Sequence, residues 1–414
     1  MNNEDKKTEG EKAAKKKLST AKKVILIVVG VLILLLALAY IFRHEIINLI
    51  TKPEDDPRIV DNPYGETDTS EDTKEDETEY VPEGDLVYNI LICGHDRVGV
   101  NTDVNLLINF NVTNYTASIM QIPRDVNAKF SPYSDYMIRP TINSIFGYCR
   151  TGDYESDPYI QNVLNQYEVG TDMRGIAGFA AYLERNLCVK IHRFAVMDLS
   201  EFSNIVDALG GVEMDVPYDL QYDDPDQDLH IDIKAGKQLL DGAAAEGIVR
   251  YRAGFGRADL GRANMQKMFM ASLMQTLRDK MNIFNIGKIT DVCGIIADNL
   301  TTNMSTSDMV YFANNAIKMD LSCFTFMTAP VGGFYDEEYA TWYTCLNKEA
   351  TLEFINTYFN IFDTPVTPEQ FDAAGVFYMD SVWYYGPGSM VAKDINIGSE
   401  MVEEGFKPDV GYYY

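Results

Sequence analysis

The chain has 414 residues and a formal charge of −27, from 62 acidic against 35 basic side chains. Hydrophobic residues make up 46% and aromatics 12%, enough for a sizeable core in one large domain or two ordinary ones. An acidic balance of this size excludes nonspecific nucleic-acid binding, which needs basic patches against phosphate.

Residues 1–23 form a basic tail with Lys15, Lys16, Lys17, Lys22 and Lys23, followed by an uninterrupted apolar run from Val24 to Phe42. At ~1.5 Å per residue the run spans roughly the 30 Å of a bilayer core. It continues into Arg43-His44-Glu45-Ile46-Ile47 with no small-residue cleavage site, which favours an uncleaved transmembrane helix over a signal peptide. With lysines in front of the span, the tail is expected in the cytoplasm and everything after about residue 43 outside. Residues 43–85 then read as an acidic linker. Its stretch Thr67–Glu79 has almost no apolar side chain and is expected to be disordered.

The folded region is expected over residues 86–361. Strands are read at Leu86–Cys93, Val104–Val112 and Thr116–Ile122, the last two joined by a hairpin at Thr113-Asn114. Gly175–Leu187 has helical spacing, and Ile191–Val196 reads as a strand. The capping box Asp198-Leu199-Ser200-Glu201 opens a helix that Gly210-Gly211 closes. Val212–Val216 is a strand. Asp241 caps an alanine-rich helix ending near Arg250. Ala258–Met281 is a long helix, with helices near 290–299 and 306–318 and a strand at Cys323–Met327 beyond it. This alternation predicts an α/β fold, an α/β/α layered sandwich around a central mixed sheet. Residues 362–414 read as a packed C-terminal extension with a short helix start at Thr367-Pro368.

Six cysteines, Cys93, Cys149, Cys188, Cys293, Cys323 and Cys345, follow no metal-binding spacing. Cys93 lies in an apolar strand and reads as a buried small hydrophobe. A Cys323–Cys345 bridge and a set of free buried thiols both fit the sequence.

Chemistry concentrates where arginines break the acidic background. Asp96 and Asp103 flank the loop Arg97–Thr102 between two strands, so their carboxylates either converge on a divalent cation or cap turns. Pro123-Arg124-Asp125 follows a strand directly; proline ends the ladder and can aim Arg124 outward, or the pair is a surface ion pair. Arg250, Arg252, Arg257 and Arg262 fall within thirteen residues, and Arg250 and Arg252 would point the same way in an extended segment. Asp259, Arg262 and Gln266 share one helix face, where Arg262 and Gln266 could donate to phosphate oxygens. The alternative is a solvated, ion-paired face. Guanidinium forks bind phosphate bidentately. No serine-hydrolase elbow, HExxH or Walker loop is present.

Taken with Tyr88–Asp96, Thr102-Asp103, Ile122–Asp125, Val206–Glu213, Gly236–Gly242, Arg250–Arg252 and Asp259–Gln266, the chain resembles the LytR–CpsA–Psr family of cell-envelope proteins. The resemblance covers about residues 86–360. It implies a membrane-anchored phosphotransferase that moves a polyprenyl-pyrophosphate-linked glycopolymer, a teichoic acid or polysaccharide, onto peptidoglycan through a phosphodiester. It further implies that Asp96 and Asp103 hold Mg²⁺ (or Mn²⁺). Arg124, Arg250, Arg252, Arg262 and Gln266, with Arg257, would clamp the pyrophosphate. Asp103, Arg124, Asp125 and Arg252 would act in catalysis. The polyprenyl tail needs an apolar slot, for which Leu106, Ile108, Phe110 and Val196 are candidates beside their plainer role as core.

Three departures stand out. Asn101 replaces an arginine, the Asp96–Asp103 loop is short, and Met265 replaces the arginine that normally precedes the glutamine. Arg97 or Arg257 could compensate. Two rival readings remain: a polyprenyl-pyrophosphate hydrolase using the same residues, and a non-catalytic envelope binding or regulatory protein.

Overall fold

The computed structural model describes residues 84–95, 101–128, 141–152, 158–225, 229–251, 258–280, 286–319, 321–336, 341–362, 364–373, 383–384 and 390–391, with Ile47, Thr51–Pro53, Asp55 and Pro57 before them. The chain divides into two units, Met1–Lys52 and Pro53–Tyr414. In the first, the Thr51 hydroxyl donates to the Ile47 carbonyl at 2.7 Å. The expected membrane span, 24–42, lies outside the described residues, and no described helix is long and apolar enough to cross a membrane.

The second unit begins with three antiparallel strands, β1 (Val87–His95), β2 (Thr102–Asn111) and β3 (Thr116–Gln121). The expected hairpin joins β2 and β3. Three helices follow: α1 (Ile142–Thr151), α2 (Pro158–Tyr167) and α3 (Arg174–Leu187). Strand β4 (Arg193–Asp198) returns parallel to β1. Helix α4 (Leu199–Ala208) starts on the predicted capping box, with the Asp198 side chain on the Glu201 amide and Glu201 returning to the Asp198 amide. It stops at Gly210 and Gly211, whose φ values of 74° and 83° favour glycine. The Lys280 ammonium donates to the Leu209, Gly210 and Gly211 carbonyls at 2.8–2.9 Å, closing the same helix end.

Next come β5 (Val212–Val216), β6 (Leu220–Asp224), β7 (Leu229–Ile233) and β8 (Gly236–Leu240), paired β5 with β8 and β6 with β7. Helix α5 (Gly242–Arg250) is capped by Asp241 as predicted, and α6 (Ala258–Lys280) is the predicted long helix. After α7 (Ile286–Asp298), β9 (Thr301–Thr302) and α8 (Thr306–Ala316), strand β10 (Phe324–Thr328) lies parallel to β3. The chain closes with β11 (Val331–Asp336), β12 (Thr341–Leu346), α9 (Lys348–Phe354), a π turn at Ile355–Phe359 and α10 (Pro368–Ala373). Two short strands end it, β13 (Trp383–Tyr384) and β14 (Met390–Val391).

The central sheet has the order β14-β10-β3-β2-β1-β4-β9 and is mixed, as expected. Strand alternation divides its side chains between two cores. Leu91, Leu107, Met120 and Phe194 pack with α1, α2, α3 and α10 on one face. Tyr88, Ile90, Phe110, Ile119 and Phe326 pack with α4, α5, α6 and α8 on the other. The short β14 adds an edge beside β10, so part of the C-terminal extension completes the sheet.

Several elements escaped the sequence reading: α1, α2, β6–β8, β9, β11, β12, α9, β13 and β14. None of the six cysteines is in a disulfide, so the Cys323–Cys345 alternative falls; Cys93 is buried as expected. The candidate slot residues also divide. Leu106, Ile108 and Phe110 pack with one core and Val196 with the other, across the sheet, so together they line no single slot. Within the segment read as linker, Pro53 and Pro57 are buried.

Helices α4 and α5 meet at Gly242. Its amide donates to Asp207 Oδ1 at 2.7 Å, and the Ser203 hydroxyl reaches its carbonyl at 3.1 Å. A Cβ there would run into the Ser203 carbonyl, which is backbone and cannot swing away. Gly242→Ala is therefore expected to lower stability by about 1–3 kcal/mol, measured by urea denaturation.

Candidate active site

Of the expected site residues, Asp103, Arg124 and Asp125 lie at the carboxyl ends of the parallel strands, the edge where open α/β sheets carry ligands. Strands β1, β3, β4 and β10 end there at His95, Gln121, Asp198 and Thr328, and β2 starts there at Thr102. The register between β1 and β2 slips between Gly94 and His95: Gly94 pairs with Val104 but His95 with Thr102. Asp103 is the extra residue of this bulge, a device that turns a side chain out of the ladder.

Asp103 Oδ1 accepts from Arg124 Nη1 at 2.5 Å, and Arg124 Nε lies 3.5 Å from Asp125 Oδ1. The guanidinium is thus held between two carboxylates, with 23% of its side chain exposed against 31% for Asp103 and 46% for Asp125. Its backbone is fixed as well, because the Arg124 carbonyl accepts from the Asn143 amide at 3.3 Å at the start of α1. Among the described residues, Asp103 Oδ2 has no hydrogen bond or ion pair.

Gln266 lies at the same edge, held inside the fold. It is 8% exposed, and its oxygen accepts from Gln121 Nε2 at 2.5 Å while its amide donates to the Val249 carbonyl at 2.9 Å. It cross-links the ends of β3 and α5, and so ties the segments bearing Arg124 and Arg250. Arg250 itself belongs to the last helical turn of α5, not an extended segment, and Nη1 donates to Glu246 Oε1 at 2.8 Å. Replacing Gln266 by Leu would strand the Gln121 amide and the Val249 carbonyl. A loss of about 1–3 kcal/mol is expected, checked by thermal denaturation.

Arg262 and Asp259 stand on the first turns of α6, with side chains outside the described residues; Asp96, Arg97, Arg252 and Arg257 lie outside them altogether. Met265, the departure beside Gln266, is 2% exposed and sits in the core that the sheet shares with α4, α5, α6 and α8. The chain spends that position on packing rather than charge.

The sequence reading missed the polar floor of this edge. Thr102, Asn105, Gln121 and Thr328 are each at least nine-tenths buried, and their side-chain oxygens have no hydrogen-bond partner among the described residues. Native interiors rarely leave such atoms bare away from sites that receive polar groups or water. Only Asn105, a polar interruption inside an apolar run, gave a signal. His95 stacks on Phe146, with ring centroids 5.7 Å apart. Partial burial opposes ionisation of Asp198, but the Ser200 hydroxyl and the Glu201 and Ser200 amides hold its carboxyl below the usual range.

The LytR_cpsA_psr family profile matches residues 61–358. The chain belongs to this family. Among curated family relatives, the polyisoprenyl-teichoic acid–peptidoglycan teichoic acid transferase TagV of Bacillus subtilis is 23% identical over 208 residues, 50% of this chain and 46% of TagV. The cell wall biosynthesis protein LcpA of Corynebacterium glutamicum is 26% identical over 241 residues, 57% of this chain and 44% of LcpA. The regulatory protein MsrR of Staphylococcus aureus is 24% identical over 225 residues, 53% of this chain and 57% of MsrR. The chain therefore spans about half the length of the curated relatives it matches. The crystal structure of B. subtilis TagV shares the fold, with TM-score 0.52 at 18% identity over 66% of this chain and 95% of that one. Protein gbs0355 of Streptococcus agalactiae gives 0.51 at 14% identity, over 66% and 86%.

Proposed function

We propose that the protein is a membrane-anchored, extracytoplasmic phosphotransferase. It moves a polyprenyl-pyrophosphate-linked teichoic acid or polysaccharide onto peptidoglycan. The observation that carries this reading is the Asp103–Arg124–Asp125 cluster at the carboxyl edge of the sheet, in a chain of this family.

In this reading an acceptor hydroxyl oxygen bonds to the glycan-side phosphorus as the bond from that phosphorus to the bridging oxygen breaks. Polyprenyl phosphate leaves, and the hydroxyl proton goes to a carboxylate. Arg124, fixed by two acids, presents guanidinium donors to the charge that builds on the leaving phosphate. Arg250, Arg252, Arg257 and Arg262 extend the clamp, and Gln266 keeps its two halves in register. Asp125 suits the proton-accepting role better than Asp103, being more exposed and 3.5 Å from Arg124 rather than 2.5 Å.

Asp103 also fits a divalent cation. Its Oδ2 is uncommitted among the described residues, its neighbours on the edge include buried oxygens without partners, and hard oxygen donors suit Mg²⁺ or Mn²⁺. With Asp96 it would hold that ion, which when bound neutralises pyrophosphate oxygens.

The test uses the full chain in detergent with a short polyprenyl-pyrophosphate glycan, with and without Mg²⁺ and a peptidoglycan oligomer, and products followed by mass spectrometry. The expected product is a phosphodiester-linked oligomer. Free polyprenyl phosphate without it would favour a hydrolase. An intact donor that still binds would favour a regulatory role, the reading supported by likeness to MsrR and by the buried Met265.

A further inference from the structure

A cleft of about 1160 Å³ opens around Arg193 at the start of β4, on the edge opposite Asp103 and Arg124. Strand β4 separates the two edges by about 17 Å at ~3.3 Å per residue, so the cleft is a surface apart from the reacting centre.

Arg193 is only 11% exposed, yet its fork is engaged from outside. Nη1 donates to Asp55 Oδ2 at 2.9 Å and Nη2 donates to Asp55 Oδ1. This is the two-pronged geometry by which guanidinium recognises a carboxylate. The remaining Nε faces Asp308 Oδ2 at 3.3 Å. The two acids differ in standing. Asp308 is 12% exposed and belongs to the capping box of α8, so it is part of the wall. Asp55 is 52% exposed and rides on a short strap between the buried prolines 53 and 57. Its carboxylate is the more accessible of the two.

Charge around the cleft says what could replace it. Without Asp55, Glu168, Glu184 and Asp308 stand against Arg185, Lys190 and Arg193. Three acids stand against three bases, so a monoanion leaves the cleft with the single negative charge that Asp55 already gives it, whereas a phosphate dianion doubles that charge. His192 leaves this balance alone: burial, with Lys190 and Arg193 nearby, holds its pKa down to about 4, and it is neutral. Beside the fork, Lys190 lies 5.3 Å above the Tyr167 ring and 3.0 Å from Glu184, giving the rest of a ligand an aromatic and polar wall.

We propose that this cleft is a second binding site, for the carboxylate of a peptide or a sugar acid. Arg193 is the receptor, and Asp55 of the strap is its occupant in cis. The site does not depend on the phosphotransfer reading, since its residues lie away from that centre and its test is a binding measurement.

The test is calorimetry on the full-length chain in detergent, comparing the native protein with Asp55→Asn. The probes are N-acetylmuramyl-L-alanyl-D-isoglutamine, a glucuronic-acid tetrasaccharide and inorganic phosphate. A competitor held in cis lowers apparent affinity by the fraction of time the cleft is open. Asp55→Asn is therefore expected to bind a carboxylate probe at least about fivefold tighter, and saturating probe should raise hydrogen exchange across residues 52–58 of the native chain. Tightening for the muropeptide assigns a peptide carboxylate, and tightening for the tetrasaccharide a sugar acid. Arg193→Lys combined with Asp55→Asn keeps the charge but loses the fork, and should cost at least about tenfold in that affinity. Unchanged or weaker binding of both carboxylate probes by Asp55→Asn, retained affinity in the double variant, or phosphate binding more tightly than either carboxylate overturns the proposal.

Discussion

Asp103→Ala is expected to lower transfer by a factor of about 10²–10³ or more, the range seen when one preorganised electrostatic group leaves a reacting centre. Two losses coincide. Arg124 loses the 2.5 Å contact that fixes its guanidinium and retains Asp125 at 3.5 Å. The bulge then presents a methyl group in place of the carboxylate oxygen proposed to bind a cation. Because Asp103 is 31% exposed and lies at a strand start, the substitution should leave the thermal midpoint within a few degrees of the native value. Asp103→Asn separates the two losses. It keeps an oxygen for Arg124 but drops the charge, so donor binding should survive better than turnover. An Asp103→Ala protein that forms linked product at the native rate would sink the catalytic role assigned to Asp103.

Arg124→Lys is the second large effect, expected at about 10² in kcat/KM. Lysine retains the charge but not the planar fork, and an ammonium on a flexible stem cannot meet Asp103 and Asp125 while presenting further donors to phosphate. If Arg124 acts mainly on the leaving group, kcat should fall with little change in KM; a rise in KM alone would make it a binding residue. Steady-state kinetics on the short donor would separate these outcomes. Near-native kcat and KM in Arg124→Lys would mean that charge alone suffices and that the two-acid clamp is structural.

Much of the fold was legible because it rests on local rules. The Asp198–Glu201 box, the Gly210-Gly211 stop, the Asp241 cap and the Thr113-Asn114 hairpin each need only side chains a few residues apart, and all four appear in the structure. The Thr367-Pro368 helix start follows the same logic, with the Thr367 and Gln370 side chains returning to each other's amides. Helices α1 and α2 were missed because Gly147, Tyr148, Cys149, Asn162 and Asn165 blur the apolar period. They are held by the core beneath the sheet rather than by propensity.

The sequence by itself determined the residue types of the site, the Asp103, Arg124 and Asp125 positions, the family motifs and the mixed α/β alternation. It could do so because charge clusters, caps and periodicities are written in short windows. Only the tertiary structure decided partners. It put Asp103 on Arg124 across 21 residues, and joined Gln266 to both Gln121 and Val249. It also assigned Met265 to the core and carried Asp55 onto Arg193 across 138 residues. Such pairings depend on which strand ends share an edge and which helix face is buried. Both follow from the whole sheet order and from closing long loops, and no local window contains that information.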